Sequence, residues 1–487
     1  MNVSKQELMS CIEPHFYKFL KETDYKIERT SAVNLLTANR FDLAFKLLYL
    51  DGKTNGVEYL KEVYDDHIRA FSFGSFTEPG NMEKNSKESF RKAYDEIYEN
   101  IKKNGFNPTK SIIPLTSSRS IVNGAHRLAS CIHLNIDVNY VDISIDEQCY
   151  NYKFFYSRNV PQIMLDIAAR KFIEISNNTY IACVWPSANG KDSDLERTIP
   201  NIVYRKDVQL NANGAHNLLS QVYSGEEWLG SIENNFKGIK GKLVECFKNF
   251  NAVRFVAFQA SNLDEVLVIK ENIRKLFNIG KHSIHITDTK EEAIELASLV
   301  FSDNGIHFLN SGKVNKYIDT HNKITYFKKY IRKNNVNLSD VILDSSMTLA
   351  LYGLRKAKDI DYLSIKKIQE SRCYPNIENH DSELVYHNVK KVDLVFNPNY
   401  FFIFNGVKFV SFNQVFNMKK TRGEMKDLND INIMVSVIEN NVFKEKVAKY
   451  KQRYFYTTLK IKKTLIKIMK KVHIYTFIYF IYKIIKK

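Results

Sequence analysis

The stretch SSMTLALYGLRKAKDIDYLSI, residues 345–365, decides how the C-terminal half of this chain is read. With DVILD (340–344) before it, the pattern gives a buried strand and a Ser345–Ser346 turn. A helix follows with Leu349, Leu351 and Tyr352 turned inward, then a second strand over KDIDYLSI. Residues two apart in a strand share a face, so Asp359 and Asp361 project together while Ile360 points into the core. Two adjacent carboxylates repel, and a divalent cation neutralises such a pair. Mg2+ (or Mn2+) takes one or two carboxylates plus substrate phosphates. Ser345 or Ser346, at the helix start, is placed to hold the phosphates of a nucleotide.

These residues resemble the polymerase-β-type nucleotidyltransferase superfamily. Its signature is a Gly/Ser-Ser turn, a helix, and then Asp-hydrophobic-Asp. TLALYGLRKAKDIDYL is similar to the branch written ALxxYGxR…DIDL, and the resemblance covers residues 331–440. It implies a mixed sheet with helices and a nucleoside triphosphate as substrate. It makes Asp359 and Asp361 catalytic metal ligands, and Ser345, Ser346 and Arg355 triphosphate-holding residues. A third carboxylate on a following strand is assigned to Asp393 in KKVDLVFN, with Asp381 and Glu383 in HDSELVY as rivals. Lys419, Lys426, Asp427 and Asp430 match the helical follow-on, and Ser345 stands where the family has glycine. The implied chemistry is metal-assisted in-line displacement, with pyrophosphate leaving.

A second motif lies upstream. SIVNGAHRLASCIHLNIDVNYVDI (120–143) reads as strand, turn, helix and strand, with Asn123-Gly124 at the turn and a helix over 125–134. A helix N-terminus after such a turn suits phosphate. Arg127 in the first turn suits bidentate grip, and His126 can move a proton. The pattern resembles the ParB/sulfiredoxin-like family, whose G-x-x-R-x-x-A turn opens a helix and handles nucleotide. The matching residues are Gly124, Arg127 and Ser130. Ala125 replaces the usual acidic residue, Asp142 is the available carboxylate candidate, and no helix-turn-helix follows. NGAHRLAS (123–130) is echoed by NGAHNLLS (213–220), which reads either as a duplicated half-domain or as coincidence at a recurrent helix start.

Composition bounds the rest. The chain has 487 residues, 44% hydrophobic and 13% aromatic, enough for several cores. Six scattered cysteines (11, 131, 149, 183, 246, 373) show no zinc spacing and fit a reducing cytoplasm. The N-terminus has no signal-peptide core, so secretion is not expected. The net charge is +17, but residues 444–487 hold 14 Lys/Arg against Glu445 alone. That tail carries +13 and leaves +4 for the body, which argues against a nucleic-acid groove there. In the tail, Ile461, Leu465, Ile468, Met469 and Val472 share one helical face, and Lys460, Lys463, Lys467, Lys470 and Lys471 take the other. The apolar run VHIYTFIYFIYKII (472–485) is shorter than a span. A basic amphipathic helix of this kind suits an anionic membrane surface; the alternatives are a helix packed on the body with solvated lysines, and binding to RNA or another polyanion.

The expected fold is a multidomain α/β (α+β) chain. Its blocks are a mostly helical 1–105, a ParB/sulfiredoxin-like unit at 106–150, a central α/β block at 151–330, a nucleotidyltransferase-like 331–440 and a basic tail at 441–487. KESFRKAYDEIYENIKKNG is expected to be a helix stopped by Gly105, and NTYIACVWP and AVRFVAFQA buried strands. Thr287 or Asp288 should cap the helix KEEAIELASLVF; His282 and His285 form a poor metal pair. Ser187, Asn189 and Lys191 sit in a polar loop open to phosphate. The leading expectation is a cytoplasmic nucleotidyltransferase, peripheral at the inner membrane face, acting on a small molecule or surface-glycan precursor. The alternatives are a small-molecule kinase or bifunctional phosphotransferase working through His126 and Arg127, and a non-catalytic nucleotide-binding scaffold.

Overall fold

The computed structural model describes residues 2–78, 82–143, 145–368, 374–439 and 442–471. The chain is mixed α/β, 54% helical and 15% strand, with several small sheets. Strands β1 (Asn2–Ser4) and β2 (Asp24–Lys26) pair antiparallel. Strands β3 (Glu28–Ser31), β4 (Ile113–Leu115) and β5 (Asp137–Asp142) form a sheet in the order β3-β5-β4, with β5 antiparallel to β3 and parallel to β4. The segment SIV, expected as a strand, contributes only an Ile121–Leu115 bridge. The chain is already turning there, with Thr116 N–H bonded to Ser120 O and Arg119 at φ 63°. Two parallel strands alone are too few for a stable sheet. The third, β3, comes from the first hundred residues, so this sheet crosses the boundary expected near residue 105.

The helices Asp42–Asn55, Glu58–Phe71 and Lys87–Asn104 follow in the N-terminal region. Lys87–Asn104 buries Phe90, Tyr94, Tyr98 and Ile101 and stops at Gly105, as the spacing predicts. Downstream, β6 (Thr179–Val184), β7 (Ile202–Val208), β8 (Val253–Gln259) and β9 (Ile284–Ile286) form an antiparallel sheet in the order β7-β8-β6-β9. All seven residues of β8 are buried; five are apolar, and the two polar ones are satisfied, Arg254 by Gly190 O and Asp192 and Gln259 by Leu36 O. The Lys290–Val300 helix is capped by Thr289, not by Thr287 or Asp288. The Thr287 hydroxyl instead accepts from Ile181 N–H at 2.9 Å and ties β6 to the chain after β9.

The C-terminal sheet holds β10 (Val341–Leu343), β11 (Ile360–Ser364), β12 (Ile377–Asn379), β13 (Phe401–Phe404) and β14 (Val407–Val410), in the order β12-β11-β10-β14-β13. β10 is antiparallel to β11 and parallel to β14. KKVDLVFN, expected to be a strand, is instead the Lys391–Phe396 helix, which buries Leu394 and Val395. The sheet position next to β10 goes to a hairpin whose Asn405-Gly406 turn has both residues at positive φ, a geometry those types suit. Phe402 of the hairpin stacks on Phe308 at 4.6 Å, and Tyr362 of β11 packs on Phe327 and Tyr330. One hydrophobic core runs from Ala32 to Met434 and joins the N-terminal helices, a face of the central sheet and the C-terminal sheet.

The two NGAH segments differ locally. Gly124 precedes its helix at φ 84°, whereas Gly214 lies inside Ala212–Val222. The echo is not a repeated structural unit. Toward the C-terminus, Met425–Ile438 is followed by a 30-residue helix, Val442–Lys471. Among the described residues, no helix is long and apolar enough to cross a membrane. Cys373 and the apolar run at 472–485 lie outside the described residues.

Candidate functional site

The chain leaves β10 through Asp344 and Ser345 and enters a six-residue helix, Ser346–Leu351. Ser345 sits at φ 49° and ψ −104°, in a region that favours glycine, at the position where the resemblance has glycine. Helix and turn are short, so an anion held here relies on the turn and the Ser346 hydroxyl more than on a helix dipole. Asp344 N–H donates to Asp361 O at 2.8 Å and fastens the turn to β11. Ile360 is buried in the core, and Asp359, half-buried, and Asp361, buried, open together onto the cavity on the other face, as their spacing predicts. The Ser346 hydroxyl lies 3.5 Å from Asp359 Oδ1 and 3.5 Å from Asp361 Oδ2.

A third carboxylate joins them from β12. The parallel pairing sets Glu378 opposite Asp361, and neighbours in register share a face. A cavity of about 1020 Å³ opens over this edge. Ser345, Ser346, Asp359, Asp361 and Glu378 line it, with Arg355, Lys358, Arg422, Lys426 and Lys467 around them. Asp393 is on the Lys391–Phe396 helix and does not line the cavity, which corrects its placement on a strand beside Asp361. Of the rivals, Glu383 reaches the cavity but pairs with Arg422 at 2.9 Å, and Asp381 pairs with Lys391 at 2.7 Å.

Burial pushes the Asp361 carboxyl up to about 6. His380 opposes the rise, while Asp359, Asp344 and Glu378 add to it. Beneath the site, Asp344 is fully buried. It accepts from His380 Nδ1 and His387 Nε2, both at 3.0 Å, and from Ser345 N–H at 2.6 Å. Burial alone would raise Asp344, but His387 and His380 outweigh it and hold its carboxyl well below the usual range. In return, the bond to Asp344 overcomes burial and raises His380.

The follow-on helices clamp the rim. Lys419 is buried between Asp427 at 3.1 Å and Asp430 at 2.9 Å. Arg422 bonds Asp427 and Glu383, and Arg355 reaches Asp430 at 3.0 Å. Lys419, Asp427 and Asp430 are therefore structural, whereas Lys426 lines the cavity and pairs with Glu424 at 2.9 Å. Thr457, Thr464 and Lys467 bring one face of the Val442–Lys471 helix to the cavity.

Glu378, His380, Asp344 and His387 were not singled out in the sequence. Asp344 stood beside the Ser–Ser turn. A three-residue strand such as β12 gives almost no periodic signal.

The upstream motif lines a separate cavity of about 610 Å³ that includes Asn123, Gly124, His126 and Arg127. Gly124 is required there, since a Cβ would meet Ile113 Cδ1 at 2.8 Å. Arg127 donates to Asn123 Oδ1 at 3.0 Å and to Ser111 Oγ. Burial, with Lys46 near, holds His126 well below its usual value, and its Nε2 meets Tyr64 OH at 3.0 Å. Arg40 and Lys46 also line this cavity and share the buried Asp42, a set contributed by residues far from the motif. Asp142 is not part of the lining. The remaining candidates are occupied by local structure. Ser187 donates to Glu245 O, Lys191 to Leu276 O, and burial drives His285 down to about 3.

Among the described residues, no three His, Cys, Asp or Glu side chains form a ready metal-binding group. Asp359, Asp361 and Glu378 instead form an open carboxylate edge with concentrated negative charge. That suits a hard cation that keeps water and takes its other ligands from a substrate. Comparison with protein-family models, curated proteins and solved structures finds no match to this chain.

Proposed function

We propose that the chain is a Mg2+-dependent nucleotidyltransferase working at the β10–β11 edge. The observation that carries this reading is the crowding of Asp361 by Asp359 and Glu378 inside a cavity whose rim carries Arg355, Lys358, Arg422, Lys426 and Lys467. Asp359 and Asp361 would hold the divalent ion, with Glu378 replacing Asp393 as the third carboxylate. The ion would supply charge neutralisation and orientation for phosphoryl transfer. The Ser346 hydroxyl and the Ser345 turn orient the triphosphate. Lys426 and Lys467 offer charge to its phosphates, and Arg355, fixed by Asp430, supports the same rim. Catalysis then rests on positioning and electrostatics.

The acceptor in this reading is a small molecule or glycan precursor carried at an anionic membrane surface. Tyr454, Ile461, Leu465 and Ile468 are exposed on the same helix that brings Thr457, Thr464 and Lys467 to the cavity. Exposed lysines flank them at 462, 470 and 471. An apolar stripe bordered by lysine binds the anionic face found on the cytoplasmic side. Flotation with vesicles should show binding that needs anionic lipid and falls when Ile461, Leu465 and Ile468 are changed to Ser. Equal binding to zwitterionic vesicles, or none at all, removes this part of the reading.

The test of the catalytic reading is a thermal-shift panel of ATP, CTP, GTP and UTP with Mg2+. Stabilisation by a nucleotide that Asp359→Asn/Asp361→Asn abolishes is the expected result. No shift with any nucleotide overturns it. A shift lost only in His126→Ala/Arg127→Ala favours the second reading, a phosphotransferase working from the 610 Å³ cavity. That reading is supported by the presence of Gly124, His126 and Arg127 in one cavity wall.

A further inference from the structure

A third cavity, about 510 Å³, lies where the Asp42–Asn55, Gln162–Ile175 and Lys290–Val300 helices meet the β13–β14 hairpin. Arg170 and Lys408 both line it, and both lie near the Phe401 ring. The Arg170 guanidinium carbon is 5.8 Å from the ring centre and Lys408 Nζ is 4.9 Å from it. Lys408 donates to Ser339 O at 2.8 Å and to Val395 O at 2.6 Å. An ammonium has three donors, so one is left over. Among the described residues, Arg170 has no hydrogen-bond or ion-pair partner, and no carboxylate pairs with Lys408.

The acidic residues of the lining do not fill that role. Asp51 pairs with Lys171 at 2.8 Å, and Glu174, exposed at the rim, reaches Lys171 at 3.5 Å; its charge favours Arg170 and Lys408 from a distance but forms an ion pair with neither. Glu295 is exposed, and neither it nor Asp340 is within ion-pair distance of Arg170 or Lys408. Two like charges, both half-buried, therefore face one half-open cavity. Burial disfavours both, and with Arg170 nearby it brings the Lys408 ammonium down to about 7. Such an arrangement is costly to fold unless an anion answers it. Its volume is within the range of small-molecule sites.

We propose that this cavity is a binding site for a small phosphorylated molecule. Arg170 grips the phosphate with its planar fork and Lys408 contributes a point charge, while Phe396 and Phe401 wall the organic part. The site is separate from the β10–β11 edge and does not depend on any catalytic role there. It is joined to that edge through the sheet, because Phe409, next to Lys408, pairs with Leu343 of β10 two residues before Ser345.

The experiment is calorimetric titration of the full chain with inorganic phosphate, in chelator and at constant ionic strength. Wild type is expected to bind. Arg170→Gln and Lys408→Met should each weaken binding tenfold or more, and Arg197→Gln, an exposed arginine that lines none of these cavities, should leave it within threefold. Should Lys408→Met fail to fold, Lys408→Arg and Arg170→Lys decide the matter, since both keep the charge and should bind within about tenfold of wild type. Phosphate that does not bind wild type, or binds Arg170→Gln as it binds wild type, overturns the proposal.

Discussion

Asp361 on β11 and Glu378 on β12 stand side by side in parallel register, so two separate strands deliver carboxylates to one face of the sheet edge. Of the three carboxylates, only Asp359 and Asp361 are close in sequence, two residues apart.

On the proposed transferase reading, Glu378→Gln is expected to lower nucleotidyl transfer by at least about 100-fold while leaving the fold intact, as loss of a positioned charge at a transition state does. Asp393→Asn should stay within about threefold of wild type, because Asp393 is on a helix outside the cavity. Steady-state rates of the two variants, measured once the nucleotide is identified, separate these roles. A larger loss in Asp393→Asn would restore the assignment made from the sequence.

Asp361 is held at a cost. Its folded-state value lies near 6 against 3.8 for an ordinary aspartate. From about pH 4 to 6 the unfolded chain gives up this proton more readily than the folded chain. Stability therefore falls as pH rises through that window, and the whole cost is present above it. Asp361→Asn should raise stability at pH 7.5, without divalent ions, by about 1–3 kcal/mol. The gain should shrink toward zero near pH 4. Melting curves of both proteins in chelator at the two pH values check the sign.

Ser345 adopts a positive φ that a side chain strains, at a cost of order 1–3 kcal/mol. Ser345→Gly relieves it but gives glycine more unfolded-state freedom, so a net gain of about 1 kcal/mol is expected. Ser345→Val should lose more than that. Urea denaturation of the three proteins tests this, and a destabilised Ser345→Gly would show that the Ser345 side chain matters more than its backbone.

Lys419 is buried between two buried carboxylates, Asp427 and Asp430. Lys419→Met removes the one ammonium that bridges both carboxylates, and should cost about 3–5 kcal/mol. Adding Asp427→Asn and Asp430→Asn should recover part of that loss. A single variant as stable as wild type would mean that the clamp is not under electrostatic load.

Much of the site was legible because its logic is local. The i,i+2 spacing of Asp359 and Asp361 fixes a shared face in any strand. The Ser–Ser turn announces where β10 ends. Gly105 and Gly124 mark helix boundaries by their positive φ. Charge counting likewise located the basic tail without any coordinates. What depended on partners was not legible. Lys391–Phe396 carries apolar spacing compatible with strand or helix, and the better-turned hairpin at Asn405-Gly406 took the strand position. β3 joins β5 across a sequence gap that no pattern bridges. Glu378 meets Asp361, and Arg170 meets Lys408, only because strand pairing and helix packing bring distant segments together. Backbone geometry repeats over a few residues and so is written in the sequence. The choice of neighbour is made by burial of the whole core, and only the tertiary structure decided it.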